Sequence, residues 1–332
     1  MNSIKILITG AGGFLGYYIA KELVKNPNYE IISFSRNSYE KLQKLNIKER
    51  LGDLRNYDDV EKALTGVNWV IHTASLVGMW GKYEDFYQTN VLGTQNIIKA
   101  SIKNNVSKIV YTSTPSVVFG SESLQGVDES TPYPNKYLSF YAQTKSIAEQ
   151  LILKNNSNYI STVALRPHLI FGPGDQNLIP RVIEAQRKNK LKIIGDGENL
   201  VDVTYVENAA LAHVLAAEQL NSSSKIAGKA YFVGQGPVKL WDFTNDILVR
   251  SGLPKVSKTI SFKKAYLIGQ IIELILKTFR IYNIHPPMTR FIALQLAKSH
   301  YYNHHNLEQD LAFKPRFTIK EGLDKLFSES VN

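Results

Sequence analysis

Apolar and polar positions alternate in two rhythms along the first half of the chain. Short apolar runs at Ile4–Thr9, 30–35, 68–74, 108–113 and 160–165 read as strands. Between them, residues 14–26, 58–64, 86–104 and 139–154 carry the pattern of helices. Strands this apolar, each followed by a helix, predict a parallel sheet covered on both faces, the doubly wound α/β architecture. After residue 170 the rhythm changes, and Gly172, Pro173, Gly174, Gly195 and Gly197 break the chain into loops. Residues 206–220 read as a helix returning to the sheet, and 230–233 as a short strand. The expected division is a first part at 1–170, joined again by 200–234. A smaller, mostly helical second part covers 171–199 and 235–332.

Residues 263–281 show a separate amphipathic pattern. Lys263, Gln270, Glu273, Lys277 and Arg280 share a stripe, and Leu267, Ile268, Ile271, Ile272, Leu274, Ile275 and Phe279 fill the rest. A core-facing helix is the expected reading. A lid over an apolar substrate and a peripheral membrane contact through 263–281 are the alternatives.

Composition narrows the classes. The 332 residues suit about two domains. With 44% hydrophobic and 20% charged residues the chain is ordinary globular protein, not a disordered one. It has no cysteine, which excludes disulfides, zinc-thiolate sites, iron–sulfur clusters and a thiol nucleophile. Net charge is +10, and residues 255–320 carry +8 of it. That basic segment lacks the aromatic signature of an RNA-binding motif or a helix-turn-helix spacing, so no nucleic acid partner is expected. The seven histidines show no ligand spacing and no metal is expected. The N-terminus has no secretory pattern and no run of about 18 apolar residues occurs, so a cytoplasmic enzyme is the expectation.

The candidate chemistry begins at the first turn. Gly10, Gly13 and Gly16 follow a strand and open a helix. In that context they allow the tight turn, the approach of a pyrophosphate and close helix–strand packing of a Rossmann fold. Phe14 and Leu15 belong to the same loop. Ser35 and Arg36 end the second strand, where an NAD site usually carries an acid. An arginine there suits a 2′-phosphate, so NADP is the expected cofactor and NAD the alternative. Tyr141 and Lys145 stand four residues apart on one helix face, and Ser113 and Thr114 lie at a strand end. A phenol, an ammonium and a hydroxyl so placed can exchange a proton with an alcohol or carbonyl.

These motifs resemble the extended short-chain dehydrogenase/reductases, the superfamily that also holds NAD-dependent epimerases and dehydratases. The resemblance spans nearly the whole chain. It implies catalytic roles for Thr114, Tyr141 and Lys145, with Ser113 as the alternative hydroxyl. It also implies cofactor contacts at Asp53 and Leu54, at Thr73, Ala74 and Ser75, at Asn90, and at Pro167 and His168. Residues 111–117, 164–167, 172–175, 204–212 and 286–291 resemble the 3β-hydroxysteroid dehydrogenase-like branch. Sugar-nucleotide epimerases typically carry an asparagine where this chain has Leu169 and an arginine where it has Val201. Apolar residues there would leave a nucleoside diphosphate without partners.

The resemblance therefore implies an oxidoreductase that interconverts a ketone and a secondary alcohol on a small hydrophobic, lipid-like substrate, of the 2-alkyl-3-oxo acid or 3β-hydroxysteroid type. Trp80, Pro115 and Leu169 are the expected substrate contacts. A sugar-nucleotide epimerase with tightly held NAD and a non-catalytic dinucleotide sensor are the alternatives. The family habit of pairing helices that match 86–104 and 139–154 implies a homodimer.

Overall fold

A computed structural model describes residues 3–329. The ends of the expected division, residues 1–2 and 330–332, lie outside the described residues. Along the chain the strands are β1 (Ile4–Thr9), β2 (Tyr29–Ser35), β3 (Lys48–Leu51), β4 (Trp69–His72) and β5 (Lys108–Thr112). Then come β6 (Leu124–Val127), β7 (Ser161–Pro167), β8 (Ile170–Phe171), β9 (Ile193–Ile194) and β10 (Leu200–Asp202). The last are β11 (Thr204–Tyr205), β12 (Ala230–Val233), β13 (Pro237–Lys239), β14 (Thr259–Ile260) and β15 (His300–Tyr302).

Seven of these form the main sheet, in the order β12-β7-β5-β4-β1-β2-β3. All its pairings are parallel. The strand order reverses between β1 and β4, and a crevice opens beyond the carboxyl ends at such a point. Alternation along β1 explains the two covered faces. Ile6 and Ile8 enter one core and Leu7 the other, all fully buried. The helices Phe14–Leu23 and Val206–Gln219 pack against each other over the first face. The helices Tyr57–Ala63, Gly93–Lys103 and Phe140–Lys154 cover the second.

Two helices of the main layer start where the sequence supplies a cap. Asn56 accepts from the amides of Asp58 and Asp59, and Ser139 from Ala142. The expected helix at 86–104 is composite. Tyr83–Phe86 runs through a π segment, Tyr87–Leu92, into Gly93–Lys103.

The remainder is mostly helical, as expected, and adds a four-stranded sheet of β13, β10, β15 and β6. Strand β6 reaches that sheet from within the first part of the chain. One departure concerns the helix Phe262–Thr278. Only Ala265, Gly269, Glu273 and Leu276 are buried, against the helix Arg290–Ala297. Leu267, Ile268, Ile271, Leu274 and Ile275 are exposed, so the aliphatic face is not core-facing. The cause is local. A Cβ on Gly269 would lie 2.5 Å from the backbone of Thr289, so the helix docks through its small residues.

Candidate active site

The turn after β1 depends on two glycines. Gly10 has φ +73°, and an added Cβ would lie 2.9 Å from Thr73 Oγ1. A Cβ on Gly16 would lie 2.2 Å from the Gly10 carbonyl oxygen, so the helix could not pack this close. Thr9 fastens the ends of β1 and β4 together. Its hydroxyl accepts from the Ala74 amide at 3.1 Å and meets His72 Nδ1 at 2.7 Å. Thr94 donates to the Asn90 carbonyl, so it must accept from His72 Nε2. His72 is therefore the Nε2-protonated tautomer and accepts from Thr9 at Nδ1. Burial, with Lys145 adding to it, pushes its pKa down to about 3 and keeps it neutral.

A cleft of about 730 Å³ opens at the reversal of strand order. Gly10, Gly13, Phe14, Leu15, Gly16, Ser35, Arg36, Asp53 and Leu54 line one end of the chain's contribution to it. Thr73, Ala74, Ser75, Ser113, Thr114, Tyr141, Lys145 and Pro167, also expected, line it as well. Leu76, Val77, Thr112, Tyr39 and Arg55 also line it and were not expected. Arg55 grips both carboxylate oxygens of Asp53 and holds that carboxyl below its usual range. Its signal in sequence was only its place two residues beyond Asp53.

The helix Phe140–Lys154 brings three groups into one row. Tyr141, Lys145 and Glu149 recur every four residues on the face toward β5 and β7. Burial raises the Tyr141 pKa to about 12, and the neighbouring Thr114 hydroxyl opposes the rise. Lys145 donates to the Thr112 carbonyl at 2.5 Å and stands 4.1 Å from the Tyr111 ring centroid. Burial lowers its pKa to about 7, opposed by the Glu149 carboxylate. Thr114, rather than Lys145, is thus the neighbour that acts on the phenol here. Glu149 is itself fully buried, forms two hydrogen bonds with Arg166 at 2.6 and 2.9 Å, and accepts from Tyr133. That pair was legible as one more step of the Tyr-Lys spacing.

The two candidate hydroxyls differ. Thr114 accepts from the Ser116 amide and interacts with Tyr141. The Ser113 hydroxyl is buried with no partner among the described residues, so its capacity is unspent.

Five expected contacts lie elsewhere. Asn90 is 2% exposed, and its amide is spent on the Leu76 backbone and Thr144, so it positions the cleft wall instead of lining it. His168 is buried and bonds His300 at 2.6 Å. Leu169 has φ +37° and packs its side chain against the core. Pro115 is buried at the first position of the 3₁₀ turn Pro115–Val117. Trp80 donates to the Ile281 carbonyl at 2.9 Å and stacks on Tyr282. Val201 is fully buried in β10.

A dinucleotide suits the cleft on the structure's own terms. Side chains at Gly10 or Gly16 would break the turn that opens the cleft, Arg36 has no hydrogen bond or ion pair with the described residues, and Ser113 and Tyr141 line the same cavity. Comparison with known proteins agrees. The family model for the 3-beta hydroxysteroid dehydrogenase/isomerase family matches residues 7–264. The 2-alkyl-3-oxoalkanoate reductase of Stenotrophomonas maltophilia is 42% identical over 98% of this chain and 99% of its own. The sterol-4-alpha-carboxylate 3-dehydrogenase, decarboxylating, of Mus musculus is 32% identical over 97% of this chain and 89% of its own. Among solved structures, gox2253 superposes with a TM-score of 0.79 at 23% identity, covering 98% of this chain and 97% of that one. MoeE5 in complex with UDP-glucose and NAD gives 0.73 at 24%, covering 99% and 100%. These last two share the fold. Sequence similarity over nearly the whole length adds the chemistry that the cleft is built for: the chain belongs to the 3-beta hydroxysteroid dehydrogenase/isomerase family and is an NAD(P)-dependent oxidoreductase.

Proposed function

We propose that the chain is an NADP-dependent oxidoreductase that interconverts a ketone and a secondary alcohol on a lipid-like substrate, a 2-alkyl-3-oxo acid before a 3β-hydroxysteroid. One observation carries the mechanism: Tyr141, its pKa raised by burial, interacts with Thr114 inside the cleft that the glycine loop opens. The dinucleotide supplies the hydride for reduction. Gly10 makes the tight turn, Gly13 leaves room for its pyrophosphate, Gly16 lets the helix pack close, and Arg36, which forms no hydrogen bond or salt bridge with the described residues, is a cation for a 2′-phosphate. Arg55 favours this choice because it pairs with Asp53, an acid whose charge Arg36 also acts on.

In the reductive direction Tyr141 gives its proton to the carbonyl oxygen. A pKa near 12 keeps the phenol loaded at neutral pH. The neighbouring Thr114 hydroxyl eases the negative charge left behind, and the unspent Ser113 hydroxyl can bond the substrate oxygen. Lys145 holds a cation beside this site, kept partly charged by Glu149. The similarity to the reductases of Stenotrophomonas maltophilia and of Shewanella oneidensis, 42% and 41% identical, supports the oxo acid over the steroid. We further propose a homodimer paired through the composite helix at 83–103 and the helix Phe140–Lys154.

The test is cofactor oxidation by the purified protein, with NADPH and NADH in parallel. Each is offered with a long-chain 2-alkyl-3-oxo acid, a 3-oxosteroid and a UDP-hexose. Consumption of NADPH with the oxo acid is the expected outcome. Tyr141→Phe should bind NADPH as before and lose roughly a hundredfold or more in turnover. Tightly bound NAD with no net consumption would replace this reading with an epimerase's.

A further inference from the structure

We infer that the exposed face of the helix Phe262–Thr278 is a docking surface for an anionic lipid bilayer. The inference goes beyond the reaction and does not depend on which substrate is reduced. Leu267, Ile268, Ile271, Leu274, Ile275 and Phe279 are each between 42% and 71% exposed. A ridge of this kind on one helix is more than the scattered surface aliphatics of a soluble protein. No helix among the described residues is long and apolar enough to cross a membrane, so the ridge can only lie on one.

Charge selects the occupant. Lys263, Lys264, Lys277 and Arg280 flank the ridge, are exposed, and form no salt bridge with the described residues. The helix has a single acid, Glu273, which is buried and paired with Arg290 at 2.7 Å. The outer face is therefore apolar and cationic, without a compensating anion. A second copy docked face to face would set these cations against their own kind. An anionic bilayer takes the aliphatic side chains between its acyl chains and the cations among its headgroups.

The surface is also continuous with the cleft. Leu76 and Val77 line the cleft and are 37% and 57% exposed. A few residues on, Trp80 ties their loop to the end of the helix by its bond to Ile281 and by Lys277, which stands 6.0 Å from its ring. Docking would bring the mouth of the cleft to the level of the lipid headgroups.

Vesicle flotation of the whole protein tests this without any substrate, so its failure is separate from failure of the reductase reading. The vesicles are phosphatidylcholine alone, or equal parts phosphatidylcholine and phosphatidylglycerol. The protein should float with the mixed vesicles at low salt, and roughly tenfold less at about 0.5 M salt. Ile271→Glu with Leu274→Glu should reduce the bound fraction at least about tenfold while leaving the melting temperature unchanged. Should that variant misfold, Lys263→Glu with Lys277→Glu tests the charged rim on its own. Wild-type protein that stays unbound, or a folded variant that floats as well as wild type, would overturn the inference. Equal flotation with phosphatidylcholine alone would overturn the choice of an anionic surface. A wild-type dimer that does not float and that Ile271→Glu splits would assign the ridge to a second copy.

Discussion

Lys145 is 2% exposed, and the enzyme holds it at a cost. Its pKa, lowered to about 7 chiefly by burial, means that folding favours the neutral amine. The unfolded chain keeps the ordinary lysine value near 10.4 and binds the extra proton between the two. Stability should therefore rise as pH increases from about 7 toward 10 and the unfolded lysine loses that advantage. Lys145→Met should lose turnover yet be more stable at neutral pH, on the order of a few kcal/mol, and lack that rise. Denaturant unfolding of both proteins at pH 7 and pH 9.5 measures it; a parallel pH dependence in the variant would refute the assignment. At this scale the sequence was legible wherever a residue's placement follows from a strand end or a helix spacing, as for Ser113, Thr114, Tyr141 and Lys145, which line one cleft. It was not legible where side-chain direction decides. Leu169 has the expected position in the chain, but its left-handed backbone sends the side chain to the core. Asn90 sits beside the cleft, but a π segment turns its amide onto the Leu76 backbone.

Helix ends show how local chemistry sets the elements. Asn105, Asn189, Gly252 and Arg280 all follow helices with positive φ. In each case the next amide closes back on the helix, as Val106 does to the Ser101 carbonyl at 2.9 Å and Ile281 to Leu276 at 2.8 Å. Asparagine and glycine tolerate that backbone, but Ala312, after the helix His305–Leu311, adopts φ +52° without such help. Because Ala312 is exposed, Ala312→Gly should stabilise the protein by about 0.5–1 kcal/mol, read as a shift in the urea midpoint with unchanged slope. Long elements were legible because burial repeats along them. Strands of two or three residues, such as β10, β13 and β15, have no period to read. The orientation of the helix Phe262–Thr278 follows from Ala265 and Gly269, whose small size permits close approach. An amphipathic pattern alone does not say which side turns inward.

At the scale of the whole molecule, burial keeps four histidines neutral. His72 and His213 are pushed down to about 3 and about 4, and His168 and His300 are lowered as well, burial being the main cause throughout. Their unfolded forms take up protons near pH 6.5, so the unfolded chain gains as pH falls below that value. Stability should drop between pH 6.5 and about 4.5, by up to about 1.4 kcal/mol per pH unit for each histidine. Equilibrium unfolding across that window checks it, and a flat profile would mean these imidazoles are charged in the native state. The pairing of β6 with β15 has a different consequence, for the birth of the protein. His300 lies in register with Leu124, so β6 leaves the ribosome long before its partner exists. At about 5–20 residues per second that wait is on the order of ten seconds or more. Throughout it the nascent chain carries an unmatched strand edge, and a chain halted before residue 300 has no way to cover it. Truncated products should therefore be the forms that chaperones retain.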